Sequence, residues 1–401
     1  MHFDAADKGK KGLRYPQNGG LCFEAQHYPD SVNHPNSPST ELRANEVYTQ
    51  ETVYKFKHNF QGAIMNKTAA FIMPVKITGS EMDLRFFRAS VESIKRQTDR
   101  DWILVIVEDY SNDKRVYDAI DEMKDDLKDK LHVIYSDKNY GTGAARNKGV
   151  LYAKEIGAPF ILFNDADDLS DPRRLELVRE KFQDENTNVV YLSFDVIDEH
   201  DIIMPDDRIC LSVREIINGH HYDVTEGEDA WIDISTKKNY TNLTSCTAVR
   251  TWLAAKELFP QQSVSEDAHT WLRYGAYPGK FAFIGQIKNK YRICSEVESR
   301  SRGQNNDFYP KKAKIDSDGF EQAMALSRAF GRIKPEDENR IRTAFYVREA
   351  LSMIYGDSDS IAKQLLQSAV QISRDETLKL IDQLSCGPEF KTRLKALTTT
   401  R

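Results

Sequence analysis

The chain has 401 residues, 40% of them hydrophobic, which is enough for roughly two or three domains and at least one substantial core. A formal net charge of -6 supplies no basic excess to neutralise a phosphate backbone, which argues against nucleic acid as the partner. Five cysteines (Cys22, Cys210, Cys246, Cys294 and Cys386) lie far apart with no CxxC pair, fitting neither a disulfide framework nor a thiolate metal site, so they read as reduced cytosolic thiols.

Residues 1–60 are rich in Asn, Pro, Ser and Gly, with Leu21 to Phe23 and Thr52 to Phe56 as expected strands, and are too short for an independent core. Met1 to Lys11 are polar and charged and read as no signal peptide. From Ala69 the texture changes to short apolar strands, Phe71 to Met73, Trp102 to Val107, Leu131 to Tyr135 and Phe160 to Phe163, separated by helical spacing. Leu84, Phe87, Val91 and Ile94 line one face of the first helix, Tyr117, Ile120 and Met123 mark the second, and Ala144 to Ile156 form the third. This alternation predicts an α/β fold, a mostly parallel, doubly wound sheet joined by right-handed crossovers. None of the apolar runs approaches the roughly 20 residues that span a bilayer. The expected location is cytoplasmic, with a peripheral seat at the inner face of the cell membrane compatible with that reading. Residues 69–188 form the first half of the sheet domain, 189–302 complete a cleft, and 303–401 form a helical region of unassigned role with helices over Ile361 to Ile372 and Leu378 to Leu384.

Ligands of open parallel sheets lie beyond the carboxyl ends of the strands, so the residues after each strand carry the chemistry. Glu108, Asp109, Tyr110, Ser111, Asn112 and Asp113 follow the second strand and suit a base or ribose. After the third come Asn139, Gly141, Thr142, Gly143 and Arg146, where small residues admit a backbone close to a ligand and Arg146 offers charge for a phosphate. After the fourth come Asp165, Asp167 and Asp168, carboxylates whose mutual repulsion calls for a cation; Mg²⁺ or Mn²⁺ bridging to a diphosphate fits such oxygens. Asp171 reads as a cap for the helix that begins near Pro172. His220 and His221 read as loop residues, Trp102 as core; Trp231 and Trp271 could stack on a sugar, with core packing favoured for both.

The order Pro74, Glu108-Asp109-Tyr110-Ser111, Gly141 to Gly149 and Asp165-Ala166-Asp167-Asp168 resembles the inverting family 2 glycosyltransferases of the GT-A fold, over residues 69–302. The resemblance implies nucleotide contacts from Pro74, Glu108, Asp109, Ser111, Asn139, Gly141, Arg146 and Asp165, and metal ligation by Asp167 and Asp165. Glu108 stands where Asp is usual and Tyr110 where Gly is usual. Ser265-Glu266-Asp267 resembles the family's acidic pair at a helix start, which implies Asp267 as catalytic base; ordinary helix-start acidity is the competing reading. Tyr291-Arg292, followed by Ser299 and Ser301, resembles a segment that closes over the diphosphate. Ile293 and Cys294 replace the usual His there, and Glu266, Arg292 and Trp271 are the remaining candidates for diphosphate or acceptor contacts.

Gly20 to Asp30 and Asn33-His34-Pro35-Asn36 resemble the last strands of aldose 1-epimerases. That resemblance makes Glu24 the counterpart of a general base whose partner histidines belong to an upstream part of that family's fold, so the segment reads as a remnant with Glu24 catalytically idle. Together these features imply transfer from a nucleotide sugar, with UDP as the expected nucleotide, to a hydroxyl on a surface glycan or lipid-linked saccharide. A nucleotidyltransferase acting on sugar phosphates, which would need a basic Gly-rich triphosphate loop, and a non-catalytic sugar-binding scaffold are the alternatives.

Overall fold

A computed structural model describes residues 67–238, 240–262, 264–294 and 308–399, with the single residue 33; the expected strands near the amino end, Glu24, Ser299 and Ser301 lie outside the described residues. Among the described residues the sheet has seven strands, β1 (Ala69–Val75), β2 (Trp102–Glu108), β3 (Leu131–Tyr135), β4 (Phe160–Phe163), β5 (Thr187–Ile197), β6 (Thr247–Arg250) and β7 (Lys280–Arg292), in the order β3-β2-β1-β4-β6-β5-β7. All pairings are parallel except those of β6, which runs antiparallel to both β4 and β5. The sheet is therefore mixed on its second half and parallel on its first.

Strands covered on both faces need apolar residues at every position, and β1 shows why a continuous run suffices. Its odd positions Ala69, Phe71, Met73 and Val75 join one core and its even positions Ala70 and Ile72 the other. The first core is closed by α1 (Glu81–Lys95), α2 (Lys114–Leu127) and α4 (Arg174–Lys181), the second by α3 (Thr142–Glu155), α7 (Thr251–Lys256) and α8 (Glu266–Ala276). Gly149 lets α3 lie against β1, because a Cβ there would stand 2.5 Å from Ile72 Cγ2. Between β5 and α7 lie α5 (Leu211–Tyr222) and the short α6 (Ala230–Asp233). The expected helices and strands of residues 69–188 are all found, with ends that differ by up to a few residues.

The helices α9 (Phe308–Ala329), α10 (Pro335–Tyr355), α11 (Asp359–Ile372), α12 (Arg374–Gln383) and α13 (Pro388–Thr399) belong to the same unit as the sheet, Met65–Arg401. Phe320, Ala323 and Met324 of α9 and Phe345 of α10 are buried in the core that contains Ile72 and Trp271. Gly319 brings α9 onto α8, where an added Cβ would be 2.9 Å from His269 Cα. A side chain such as Phe320 contributes about 2 kcal/mol by leaving water, so α9 stabilises α8 as well as itself. The second half of α10 with α11, α12 and α13 buries a separate core around Leu351, Leu366, Ile381 and Leu394.

Candidate active site

Chain order reverses direction between β1 and β4, and the crevice beyond the carboxyl ends of these two strands is where an open sheet accepts a ligand. Pro74 lies at this end. Its missing N–H costs nothing, because the β1–β4 ladder stops at Ile72–Phe163 and the next bond on that side runs from Asn164 N–H to Ile72 C=O.

Beyond β2 the carboxylates are committed to main chain. Asp109, 2% exposed, accepts from Tyr140 N–H at 3.1 Å and from Gly141 N–H at 2.7 Å, while Glu108 accepts from Ser111 N–H. Ser111 Oγ accepts from Ile77 N–H at 3.2 Å and Asn139 Oδ1 from Gly141 N–H at 3.0 Å. Thus Glu108, Asp109, Ser111, Asn139 and Gly141 form one hydrogen-bonded rim. Gly141 has φ +89° and opens α3, a conformation that suits glycine. Tyr110 has φ +63° at the position where the resembling family usually has glycine, and it is 43% exposed.

Beyond β4 the acidic turn is held from below by a cation. Arg174 is fully buried; it donates through Nη1 to Asn164 Oδ1 at 3.2 Å and through Nη2 to the carbonyls of Phe163 and Thr247 at 2.9 and 3.2 Å. Burial lowers its pKa to about 10, with Cys246 and Asp168 acting in the opposite sense. Asn164 Nδ2 in turn reaches Ser90 Oγ at 3.0 Å and Asp168 C=O at 3.3 Å. Asp168 is 1% exposed, and its Oδ1 accepts from Arg292 N–H at 2.9 Å. Burial, then the neighbouring Asp167 and Asp165, push its carboxyl well above the usual range. Asp165 and Asp167 are partly exposed at the crevice. Asp171 accepts from Arg173 N–H at 2.9 Å in the turn before α4; Arg173, not Asp171, flanks the first residue of that helix, so the expected cap is displaced by two residues.

The third component comes from α8. Arg146, buried on α3, places Nη2 2.8 Å from Asp165 Oδ1 and Nη1 3.0 Å from Glu266 Oε1, over the ring of Phe259. Burial alone would favour the neutral guanidine, but Asp165, Glu266 and Asp267 more than offset it and raise its pKa. The single cation therefore joins the acidic turn to the head of α8. Gly143 lets α3 pack against the segment before α8, where an added Cβ would stand 3.0 Å from the Pro260 carbonyl oxygen. Asp267 begins α8 beside Glu266, its Oδ1 accepting from Ala268 N–H at 2.8 Å. Burial and the Glu266 carboxylate raise its pKa to about 7 against the pull of Arg146.

Several expected roles change. Arg146 has both terminal nitrogens on carboxylates, so its charge is already matched within the protein rather than held out for a phosphate. Arg292 is likewise engaged: it stacks 4.2 Å over Phe86, donates to the carbonyls of Asp167 and Asp198 at 2.9 and 2.7 Å, and lies 2.6 Å from Asp201, clamping the acidic turn instead of facing a diphosphate. Trp271, 1% exposed, is packed among Phe163, Phe259 and Tyr274, and Trp231 is fully buried; neither can stack on a sugar without unpacking the core. His220 and His221 lie in α5, not in a loop. His220 is buried with its Nε2 2.7 Å from Thr241 C=O, and burial lowers its pKa to about 4. Arg174, Ser245 and Asn289 went unnoticed in the sequence. Ser245 Oγ accepts from Asp165 N–H at 2.9 Å and Asn289 bridges Ser245 C=O at 2.7 Å to Asp171 N–H at 3.0 Å; no motif or spacing marks such buried brackets. Among the described residues, no group of three His, Cys, Asp or Glu side chains is placed to hold an ion unaided, and no helix is long and apolar enough to cross a membrane.

Residues 77–237 match the family model for glycosyl transferase family 2, and residues 3–55 match that for aldose 1-epimerase. An uncharacterized glycosyltransferase of Methanocaldococcus jannaschii is 28% identical over 229 residues, 56% of this chain and 72% of that protein. Galactose mutarotase of Mus musculus is 49% identical over 53 residues, 13% of this chain and only 16% of that enzyme. Among solved structures, the mannosyltransferase PcManGT of Pyrobaculum calidifontis, in complex with GDP-Man and Mn²⁺, is 14% identical with a TM-score of 0.49, covering 82% of this chain and 85% of that one. The chain thus carries a glycosyl transferase family 2 domain behind an aldose 1-epimerase-like segment, and it is a glycosyltransferase.

Proposed function

We propose that this glycosyltransferase performs a divalent-metal-dependent, inverting transfer from a nucleotide sugar, with UDP as the expected nucleotide, to a hydroxyl acceptor in surface polysaccharide or glycolipid synthesis. The observation that carries the reading is the Arg146 bridge, which unites Asp165 and the Glu266–Asp267 pair, acidic groups about a hundred residues apart in sequence, in one crevice. Asp267 acts as base: its carboxylate takes the acceptor hydroxyl proton as that oxygen attacks the anomeric carbon, and the bond from that carbon to the diphosphate breaks with inversion. A carboxyl with a pKa raised to about 7 is a better proton acceptor than an ordinary aspartate and is still substantially ionised near neutral pH.

The strand-end carboxylates fit a hard cation in part. Asp168 is under repulsion that a cation would relieve, and Asp167 and Asp165 offer oxygens at the crevice, the latter sharing its charge with Arg146. An ion there would complete its shell with diphosphate and water oxygens and would supply Lewis-acid stabilisation of the leaving diphosphate. The rim of Glu108, Asp109, Ser111, Asn139 and Gly141, with Pro74 at its floor, is the seat for the nucleoside.

Calorimetric titration of the full chain with UDP, GDP and their hexose conjugates, with and without Mn²⁺, tests this. Mn²⁺-dependent binding of a nucleotide sugar that Asp167→Ala weakens about a hundredfold is expected. Equal binding without metal, or an Asp167→Ala variant that binds and turns over donor like wild type, would remove the metal from the reading.

A further inference from the structure

The C-terminal helices have no role in the transfer as described so far, yet α9 reaches the head of α8 through a buried polar chain. Ser265 precedes α8 with φ +58°, the left-handed region, and its hydroxyl caps none of the helix's own amides. A serine at a helix start ordinarily accepts from the second or third amide of the helix. Here Ser265 Oγ instead donates to Asp316 Oδ1 of α9 at 2.5 Å and lies 2.6 Å from Tyr240 Oη. Asp316 also meets Lys312 one turn earlier, and Lys312 Nζ is 3.4 Å from Glu349 Oε1 of α10. Lys312, Asp316 and Glu349 are 5%, 3% and 2% exposed. Buried charges of this kind cost several kcal/mol to desolvate and are weak stabilisers compared with apolar packing, so stability alone is a poor reason for this one.

We propose that Asp316, held by Lys312, is a positioning residue for the transfer reaction, fixing the left-handed turn at Ser265 and with it the pose of the Asp267 carboxylate at the head of α8. The proposal rests on the reading of Asp267 as base. It gives the C-terminal helical region a part in catalysis without contact to substrate. Ser265 and Asp267 are separated by one residue, so a change of backbone at Ser265 turns the carboxylate directly, and misplacing a catalytic group by about 1 Å costs up to about a hundredfold in rate. The charged and titratable groups that face Asp267 are Glu266 on its own helix, Arg146 of α3, Asp316 of α9 and the neutral Tyr240 hydroxyl. The Asp316 carboxylate raises the pKa of Asp267, and the loss of its charge shifts that titration downward.

The test uses full-length protein labelled with ¹³Cγ-aspartate, in which the Asp267 resonance is assigned by its absence in Asp267→Asn. Turnover is followed as UDP release from UDP-glucose, UDP-galactose or UDP-N-acetylglucosamine, whichever wild type consumes fastest, and UDP–Mn²⁺ affinity is measured by calorimetry. Asp316→Asn is expected to move the Asp267 titration down by about half a unit or more and to lower turnover about tenfold, with UDP–Mn²⁺ affinity unchanged within about twofold. Ser265→Gly keeps the left-handed backbone and removes only the hydroxyl; it is expected to lower turnover with the Asp267 titration nearly in place, and it carries the test alone if Asp316→Asn does not fold. Wild-type turnover in Ser265→Gly, or an unmoved Asp267 titration in folded Asp316→Asn, overturns the proposal while leaving the base assignment standing if Asp267→Asn is inactive. Full turnover in Asp267→Asn removes the base assignment itself.

Discussion

The two acidic groups of the crevice are built in opposite ways. The turn at Asp165–Asp168 is contiguous in sequence and is supported from beneath: Asn164 and Arg292 hold its main-chain carbonyls, Arg174 holds Asn164 and the Phe163 carbonyl, and Arg292 N–H holds the Asp168 carboxylate. The main chain of the pair Glu266–Asp267 is gripped from within its own helix, where Thr270 Oγ1 donates to Glu266 C=O at 2.6 Å. The pair's distant partners are Arg146, 120 residues away from Glu266, and Asp316, which meets Ser265 across 51 residues. The difference teaches that the first group is a braced turn, which the proposed reading makes the seat of an ion and a diphosphate, while the second takes part of its geometry and proton affinity from neighbours contributed by other elements, beside burial and Glu266 itself. A seat must not move; a base must be tuned.

The contrast can be broken most directly at Asp267. Asp267→Asn removes the proton acceptor without removing volume, and turnover should fall by about a thousandfold, within the range for a lost general base, while nucleotide affinity stays near wild type. Substantial residual transfer would place the base elsewhere.

Arg146→Met cuts the link between the two groups and leaves Asp165 and Glu266 facing each other without a cation. Breaking a buried pair by removing one partner costs about 3–5 kcal/mol, and the partial exposure of both carboxylates reduces the expectation to about 2–3 kcal/mol, read as a lower midpoint in urea unfolding. A loss below about 0.5 kcal/mol would mean the bridge joins nothing that matters to the fold.

Asp267 also makes a stability prediction with a defined sign. Its folded pKa of about 7 lies above the unfolded value, so the folded state binds the extra proton between about pH 4 and pH 7. The stability it contributes is present below the unfolded pKa and is lost as pH rises through 7. Asp267→Asn should flatten that fall and be more stable than wild type at pH 8, by about 1–2 kcal/mol. Thermal melts at pH 5 and pH 8 read the sign, and a variant equally destabilised at both would contradict it. The turnover of wild type should rise through the same pH range.

The smallest effect belongs to the rim. Tyr110 holds a left-handed conformation that costs a residue with a side chain about 1 kcal/mol, so Tyr110→Gly should raise stability by about 0.5–1 kcal/mol unless the exposed ring contributes contacts in the unliganded protein. A stable variant with weakened nucleotide binding would assign the ring to the ligand and account for its departure from glycine.

What the sequence determined by itself is the local part. Continuous apolar runs, helical spacing and the acidic stretch after Phe163 fixed the first four strands, the helices between them and the position of Asp165, Asp167 and Asp168, because burial on both sheet faces and strand-end placement leave a mark in consecutive residues. The burial of Trp231 and Trp271 agrees with the core packing favoured for both, whereas the antiparallel β6, the helical setting of His220 and the joining of α9 to the sheet core were decided only by the tertiary structure. So were the partners of the charges. Arg146 and Arg292 read as ligand-facing cations since nothing adjacent to them announces Asp165, Glu266, Asp198 or Asp201, and Arg174 read as nothing at all. A charge is satisfied by whatever the fold brings within about 3 Å, and chain distance carries no information about that. The proton affinity of Asp267 comes first from burial, which exists only in the folded chain, then from its sequence neighbour Glu266, with Arg146 and Asp316 added by the tertiary arrangement.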